Sequence, residues 1–119
     1  MSAMFEVLEK LQKHPGMYLG RTSARDLFIF LEGYRTARMD LGVELTEQEI
    51  EFLDEFQPWI QKRYNISVSA SWAKIIELYT GSDERAFYEF FKLLNEFWHR
   101  HEQTEWSEIE SPLETWKVG

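Results

Sequence analysis

The histidines are the side chains of this sequence best suited to proton transfer or metal binding near neutral pH. His99 and His101 are two residues apart, which places them about 200° apart on a helix, whereas ligands of one metal ion on a helix are three or four residues apart. His14 has no serine, threonine or cysteine tied to it by a recognisable motif, and the chain contains no cysteine. We therefore expect no metal site and no catalytic residue.

The glycines bear on nucleotide binding. They are scattered at positions 16, 20, 33, 42, 81 and 119, so the sequence has neither a Walker loop nor a dinucleotide-binding fingerprint. Both motifs need backbone amides crowded around phosphate. No cofactor is expected.

One hypothesis of a small-ligand site or an enzyme remains, and it concerns residues 14–25. A turn there is framed by Gly16 and Gly20 and is apolar enough that we expect it to be anchored to the core. A pocket would lie near His14 and Tyr18, and Arg21 or Arg25 would bind a carboxylate or a phosphate. This alternative requires His14, Tyr18 and an arginine to converge on one concave site.

Acidic residues give the sequence its main electrostatic feature. The net charge is -8, yet residues 1–41 hold six bases and five acids and carry +1, so the remainder carries -9. On a helix that begins near residue 47, four acids lie opposite the apolar stripe: Glu47, Glu51, Asp54 and Glu55. Such a field repels phosphate backbones and anionic lipids, so neither a nucleic acid nor a membrane is expected as a partner. It favours a basic protein partner, although acidic balance also serves solubility.

The length and composition indicate one folded, soluble domain. A chain of 119 residues is about one domain long, and 44% apolar with 29% charged residues is typical of a globular protein. We assign residues 1–101 to a single helical domain and residues 102–119 to an acidic tail, which its two tryptophans could dock on the domain. No apolar run suffices for a membrane span, the N-terminus lacks a signal-peptide pattern and cysteine is absent, so we expect a cytoplasmic protein.

Hydrophobic periodicity predicts a mainly α fold, a compact bundle of about five helices. The helices cover residues 3–13, 24–40, about 47–64, 72–80 and the segment after Ser82. Predicted N-caps are Ser23, Ser71, Ser82 and Thr46, the last with Glu49 as a capping box. Pro15-Gly16 predicts a turn, and Pro58 predicts a kink or a restart of the third helix.

Two features of the pattern leave alternatives open. Residues 65–70 alternate and are β-branched, so they form either a connector, which we favour, or a strand that would make the fold a small α+β arrangement. The chain has 19 aromatic residues, and Phe28 and Ile29 lie outside the apolar stripe of the second helix. This number of aromatic residues exceeds what one small core is expected to bury, which favours an exposed apolar patch through which the protein could form a homodimer.

Two resemblances to known families rest on the motif Pro15-Gly16-Met17-Tyr18-Leu19-Gly20. After a helix like Val7-Leu8-Glu9-Lys10-Leu11, it resembles a turn in the ATPase region of type II topoisomerase B subunits. The acidic, asparagine-bearing helix and glycine-rich loops that bind ATP there have no counterpart here, so this local resemblance implies no ATPase activity.

The broader resemblance is to a group of small, largely uncharacterised bacterial proteins. It adds Leu31-Glu32-Gly33-Tyr34, Trp59-Ile60, Ser71-Trp72-Ala73 and a Phe-rich last helix, from about residue 5 to residue 98. The resemblance implies a stand-alone bacterial domain and brings no catalytic residues. Together with the charge pattern, it leads us to expect a non-enzymatic interaction domain, of the kind of an immunity protein or antitoxin-like inhibitor.

Overall fold

Six α-helices form the part of the chain that the computed structural model describes, residues 3–101. They are α1 (Ala3–Lys13), α2 (Pro15–Leu19), α3 (Ala24–Asp40), α4 (Glu47–Arg63), α5 (Trp72–Thr80) and α6 (Asp83–Trp98). No strand occurs among the described residues, so the prediction of a mainly α bundle is confirmed. The predicted acidic tail, residues 102–119, lies outside the described residues. Within residues 3–101, no helix combines the length and the apolar character needed to cross a membrane.

Side-chain caps determine where four of the helices begin. The hydroxyl groups of Ser23, Ser71 and Ser82 each accept a backbone N–H from the first turn of α3, α5 and α6. At the start of α4, Thr46 and Glu49 form both reciprocal bonds of the predicted capping box. These bonds satisfy backbone donors that a helix start leaves unpaired, which is why the boundaries follow local sequence so closely.

Aromatic rings fill the centre of the bundle. Phe56 of α4 meets Trp72 of α5 and Phe90 and Phe97 of α6 edge to face, with ring centroids 5.4 to 5.6 Å apart. Trp72 stacks on Phe90 at 4.6 Å, and Phe28 of α3 meets Trp72 at 5.4 Å. Phe28 thus joins the core although it lies outside the main stripe of its helix. Such pairs add to the stabilisation that burial alone provides.

The segment predicted as a Pro15-Gly16 turn is the short helix α2. Proline suits a first helical turn because its ring fixes φ and its missing N–H has no partner there in any case. Gly20, at a φ of 82°, ends the helix in the left-handed conformation. Leu19 packs against the core, whereas Met17 and Tyr18 are exposed, so this segment is anchored only in part.

The helix α4 continues through Pro58, and the predicted restart is therefore wrong. A proline at position 58 removes the donor that would bond the carbonyl of Asp54. Both residues lie on the exposed side of α4, where water can solvate that carbonyl. A proline on this side costs less than one facing the core.

Residues 65–70 form an irregular connector, as favoured from the sequence. The side chain of Gln57 holds its end: the amide nitrogen donates to the carbonyl of Ala70 at 2.8 Å, and the amide oxygen accepts from the N–H of Trp72 at 2.7 Å. With its backbone bonded to side chains of α4, this segment needs no strand partner.

Candidate functional site

The outer side of α4 carries the four acids singled out from the sequence. Glu47, Asp54 and Glu55 are exposed, while Glu51 is half-buried. We call these four residues the acidic face. It lies opposite Phe56 and the other core residues of α4, as the helical period requires.

Arg100, just beyond α6, is a base beside the acidic face. Its Nη2 lies 2.7 Å from Oε2 of Glu51 and 3.6 Å from Oε1 of Glu55. Its guanidinium carbon lies 3.8 Å from the ring centroid of Phe97, and its Nη1 donates to the carbonyl of that residue at 2.8 Å. Arg100 therefore partly neutralises one side of the acidic face, that of Glu51 and Glu55. Glu47 and Asp54, on the other side of the acidic face, are exposed to solvent.

A group of exposed apolar side chains lies next to the acidic face, where α3 passes into α4. Met39, Leu41, Val43 and Ile50 are between 44% and 79% exposed. We call these four residues the end patch. Ile50 lies one turn from both Glu47 and Asp54 on α4, so the end patch and the acidic face share a border. Isolated exposed apolar residues are common, but a cluster beside charged residues is typical of an interaction site.

The backbone that carries the end patch has a defined conformation. Gly42 has a φ of 72°, its N–H donates to the carbonyl of Met39 at 3.1 Å, and the N–H of Val43 donates to the carbonyl of Arg38 at 2.9 Å. This pair of bonds is a Schellman motif, which satisfies the last carbonyls of α3. Hydrogen bonds within the chain thereby fix the backbone on either side of Gly42.

The buried ion pair of Arg38 and Glu49 stabilises the same loop between α3 and α4. Arg38 Nη1 donates to Glu49 Oε2 at 2.8 Å, and Arg38 Nη2 donates to the carbonyl of Glu44 in the loop. Glu49 is fully buried and also accepts the backbone N–H groups of Met4, at 3.0 Å, and Thr46, at 2.9 Å. The bond to Glu49 raises the pKa of the Arg38 guanidinium, so Arg38 keeps its positive charge. One carboxylate thus joins α1, α3 and the start of α4.

The alternative hypothesis of a small-ligand pocket concerns His14, Tyr18, Arg21 and Arg25. His14 and Tyr18 are exposed. Arg21 pairs with Asp26 at 2.7 Å and lowers the pKa of that carboxyl, chiefly through the hydrogen bond. Arg25 lies 3.4 Å from Glu77 and 3.7 Å from Asp83. Each arginine therefore already faces a carboxylate of its own chain, which reduces its capacity to bind an external anion.

A metal-binding site was the next possibility among the described residues. Across residues 3–101, no group of three or more histidine, cysteine, aspartate or glutamate side chains could hold a metal ion. The carboxylates that do cluster are paired with arginine or face solvent.

Comparison with protein-family models, with curated proteins and with solved structures finds no match to this chain. Function therefore has to be argued from the geometry of the chain itself. The resemblance to small bacterial proteins stays a prediction.

Sequence reasoning identified the acidic face but missed its surroundings. Ile50, outside the apolar stripe of α4, was the signal for the end patch, together with the apolar residues around Gly42. The contact of Arg100 with Glu51 spans 49 positions and left no local signal.

Proposed function

We propose that this protein is a non-enzymatic interaction domain that presents an acidic, partly apolar surface to a basic partner protein. An immunity protein or antitoxin-like inhibitor of a basic toxin is the specific form of this proposal. The observation that carries it is the border that the acidic face and the end patch share on α4, next to a loop that a buried ion pair holds in place.

The physical argument combines two properties of protein interfaces. Exposed acids such as Glu47 and Asp54 attract an oppositely charged partner and speed the encounter. Apolar side chains such as Leu41 and Val43 then supply the area that becomes buried and slows dissociation. A surface fixed before binding loses little conformational freedom in the complex.

The same charges bear on the choice of partner. Two copies of the acidic face repel each other, so this surface favours a different protein over a homodimer formed through it. A cytoplasmic location in a bacterium belongs to the proposal, and the cysteine-free composition supports it because disulfides do not persist in a reducing compartment.

The test is partner capture with a charge-reversed chain. Tagged full-length protein is compared with the triple variant Glu47→Lys, Asp54→Lys, Glu55→Lys in lysate of the source cells, and bound proteins are quantified by mass spectrometry. A second triple variant, Glu6→Lys, Glu9→Lys, Glu84→Lys, makes the same charge change at exposed positions elsewhere. Circular dichroism verifies that both fold.

We expect a basic protein that the wild type and the control variant retain and the face variant loses. If that protein is toxic when expressed alone, co-expression should restore growth with the wild type and not with the face variant. Identical bound proteins for all three chains would contradict the proposal.

A further inference from the structure

The helices α3 and α4 follow each other in sequence, yet they make few contacts with one another. Both pack on α5, and α3 also packs on α6. Between them lies a cavity of about 210 Å³, floored by Phe56 and Trp72 and walled by Phe28 and Leu31 of α3 and by Leu53 of α4. Its walls are mainly aromatic and aliphatic.

A second, shallower concavity lies at the loop end of the same two helices. Met39, Val43, Leu45 and Ile50 line it, so it is formed largely by the end patch. Met39, Val43 and Ile50 are exposed and Leu45 is half-buried, whereas the floor of the first cavity is buried.

The two concavities follow each other along α3 and α4, and together we call them the α3–α4 groove. On α3, Arg35 lies 3.4 Å from Glu32 at the edge of the first cavity and 3.8 Å from the sulfur of Met39 in the second. On α4, Ile50 of the second cavity is three residues before Leu53 of the first, which places them on neighbouring turns. From Phe28 to Met39 the α3 wall extends over 11 residues, or about 16 Å.

The groove has apolar walls and acidic edges. The one amide in its wall, on Gln57, is already bonded to the backbone of Ala70 and Trp72, so the first cavity offers an occupant mainly apolar contact. Glu32 and Glu44 line the two concavities and are exposed, and the exposed Asp54 follows the groove residue Leu53 on α4. Arg35, which lies on α3 between Glu32 and Met39, is paired with Glu32.

We propose that the α3–α4 groove binds an amphipathic, positively charged helix of the partner protein. Apolar side chains of that helix fill the cavity at Trp72 and the concavity at Ile50, and its lysines or arginines face the acidic edges. A length of about 16 Å accommodates roughly three turns of helix, and helix-in-groove binding uses anchors spread over that distance. This inference rests on the proposed function and names the part of the partner that binds.

The test uses two synthetic peptides of leucine, lysine and alanine, each about 14 residues long, which covers the groove. One has its leucines on a single helical face, and the other has the same composition with the leucines distributed around the helix. Affinity for the full-length protein is measured by isothermal titration calorimetry, and NMR of the Trp72 indole N–H reports whether the cavity is reached.

Variants locate the binding site. Ile50→Asp and Met39→Asp change exposed side chains of the groove, so the fold should persist, and Leu78→Asp is the matched change at an exposed position of α5. We expect the amphipathic peptide to bind at least about tenfold more tightly than its isomer. Each groove variant should weaken it by about tenfold, the equivalent of one buried aliphatic side chain. Leu78→Asp should change nothing.

The other outcomes separate this inference from the proposed function. If both peptides bind equally well, and only charge reversal of Glu47 and Asp54 abolishes their binding, the acidic face accounts for the binding. The groove proposal is then refuted and the proposed function is not. If neither peptide binds, the proposal that the groove binds a helix is also refuted. The proposed function is then still tested by the partner-capture experiment. Dimerisation that Ile50→Asp abolishes would assign the groove to a second copy. Tighter peptide binding by a Trp106→Ala, Trp116→Ala variant would assign it to the chain's own C-terminal segment.

Discussion

Replacing Glu49 by glutamine removes one buried charge with little change of shape. In the wild type its carboxylate accepts from Arg38 at 2.8 Å and from the backbone of Met4 and Thr46. Arg38 is itself only 9% exposed, so in the Glu49→Gln variant its guanidinium is left facing a neutral amide away from water. The variant thus tests whether this ion pair joins α1, α3 and α4.

The expected cost is large for a single substitution. Removing one partner of a buried ion pair destabilises proteins by about 3–5 kcal/mol, because the remaining charge is neither solvated nor compensated. Arg63 and Glu96 form a pair at 2.6 Å with side chains 44% and 35% exposed, and such surface pairs contribute about 0.2–1 kcal/mol. Glu96→Gln is therefore the matched control.

The assay is urea unfolding followed by near-ultraviolet circular dichroism, which reports the packing of the aromatic core. A double-mutant cycle with Arg38→Met isolates the pair, and we expect a coupling of about 2 kcal/mol, within the range for directly contacting residues. If Glu49→Gln costs less than about 1 kcal/mol, as the exposed pair does, the reasoning about burial is refuted. Because Arg38 also holds the carbonyl of Glu44, the variant should weaken partner binding as well.

Three further predictions concern the bundle, each measured in the same unfolding assay unless stated. Phe56→Ala should cost about 3–5 kcal/mol, since this ring is buried at the centre of the aromatic core; a cost below about 1 kcal/mol would contradict that position. Gly81→Ala should destabilise by about 1 kcal/mol because φ is 92°, whereas Gly33→Ala, inside α3 with open space around it, should stabilise by a similar amount; equal signs would refute this. Arg21→Ala should raise the pKa of Asp26 from its lowered value toward that of an ordinary aspartate, as measured by NMR titration. A carboxyl whose pKa is lower in the folded than in the unfolded chain stabilises the fold at any pH above the unfolded-state pKa. This stabilisation is lost as the pH falls through the folded-state pKa. The variant lacks it, so its free energy of unfolding should fall less on acidification.

The helix boundaries could be predicted because their causes are local. Ser23, Ser71 and Ser82 each bond a backbone amide three residues away, and Gly81 ends α5 with a positive φ. A local signal that fits two structures does not decide between them. Pro15 is compatible with both a turn and a first helical turn, and the observed outcome is the helix α2.

The surroundings of the candidate site depend on contacts between distant residues. From the sequence, Glu49 is one acid among several, with a capping role that local spacing suggests. Its burial follows from the position of Arg38 on α3 and from the packing of Met4 of α1 against the start of α4. Likewise, the half-buried state of Glu51 depends on Arg100, which only the packing of α6 brings near. Periodicity predicts which face of a helix is polar and does not indicate which charges become paired.

The most direct test of the central claim maps the contact surface of the captured partner. Hydrogen exchange of backbone amides is compared between the free protein and its complex, which reports the segments that binding protects. We predict protection concentrated in residues 39–57, with little change around the exposed Leu78, Tyr79 and Tyr88. Protection confined to those α5 and α6 positions, with residues 39–57 unchanged, would contradict the account.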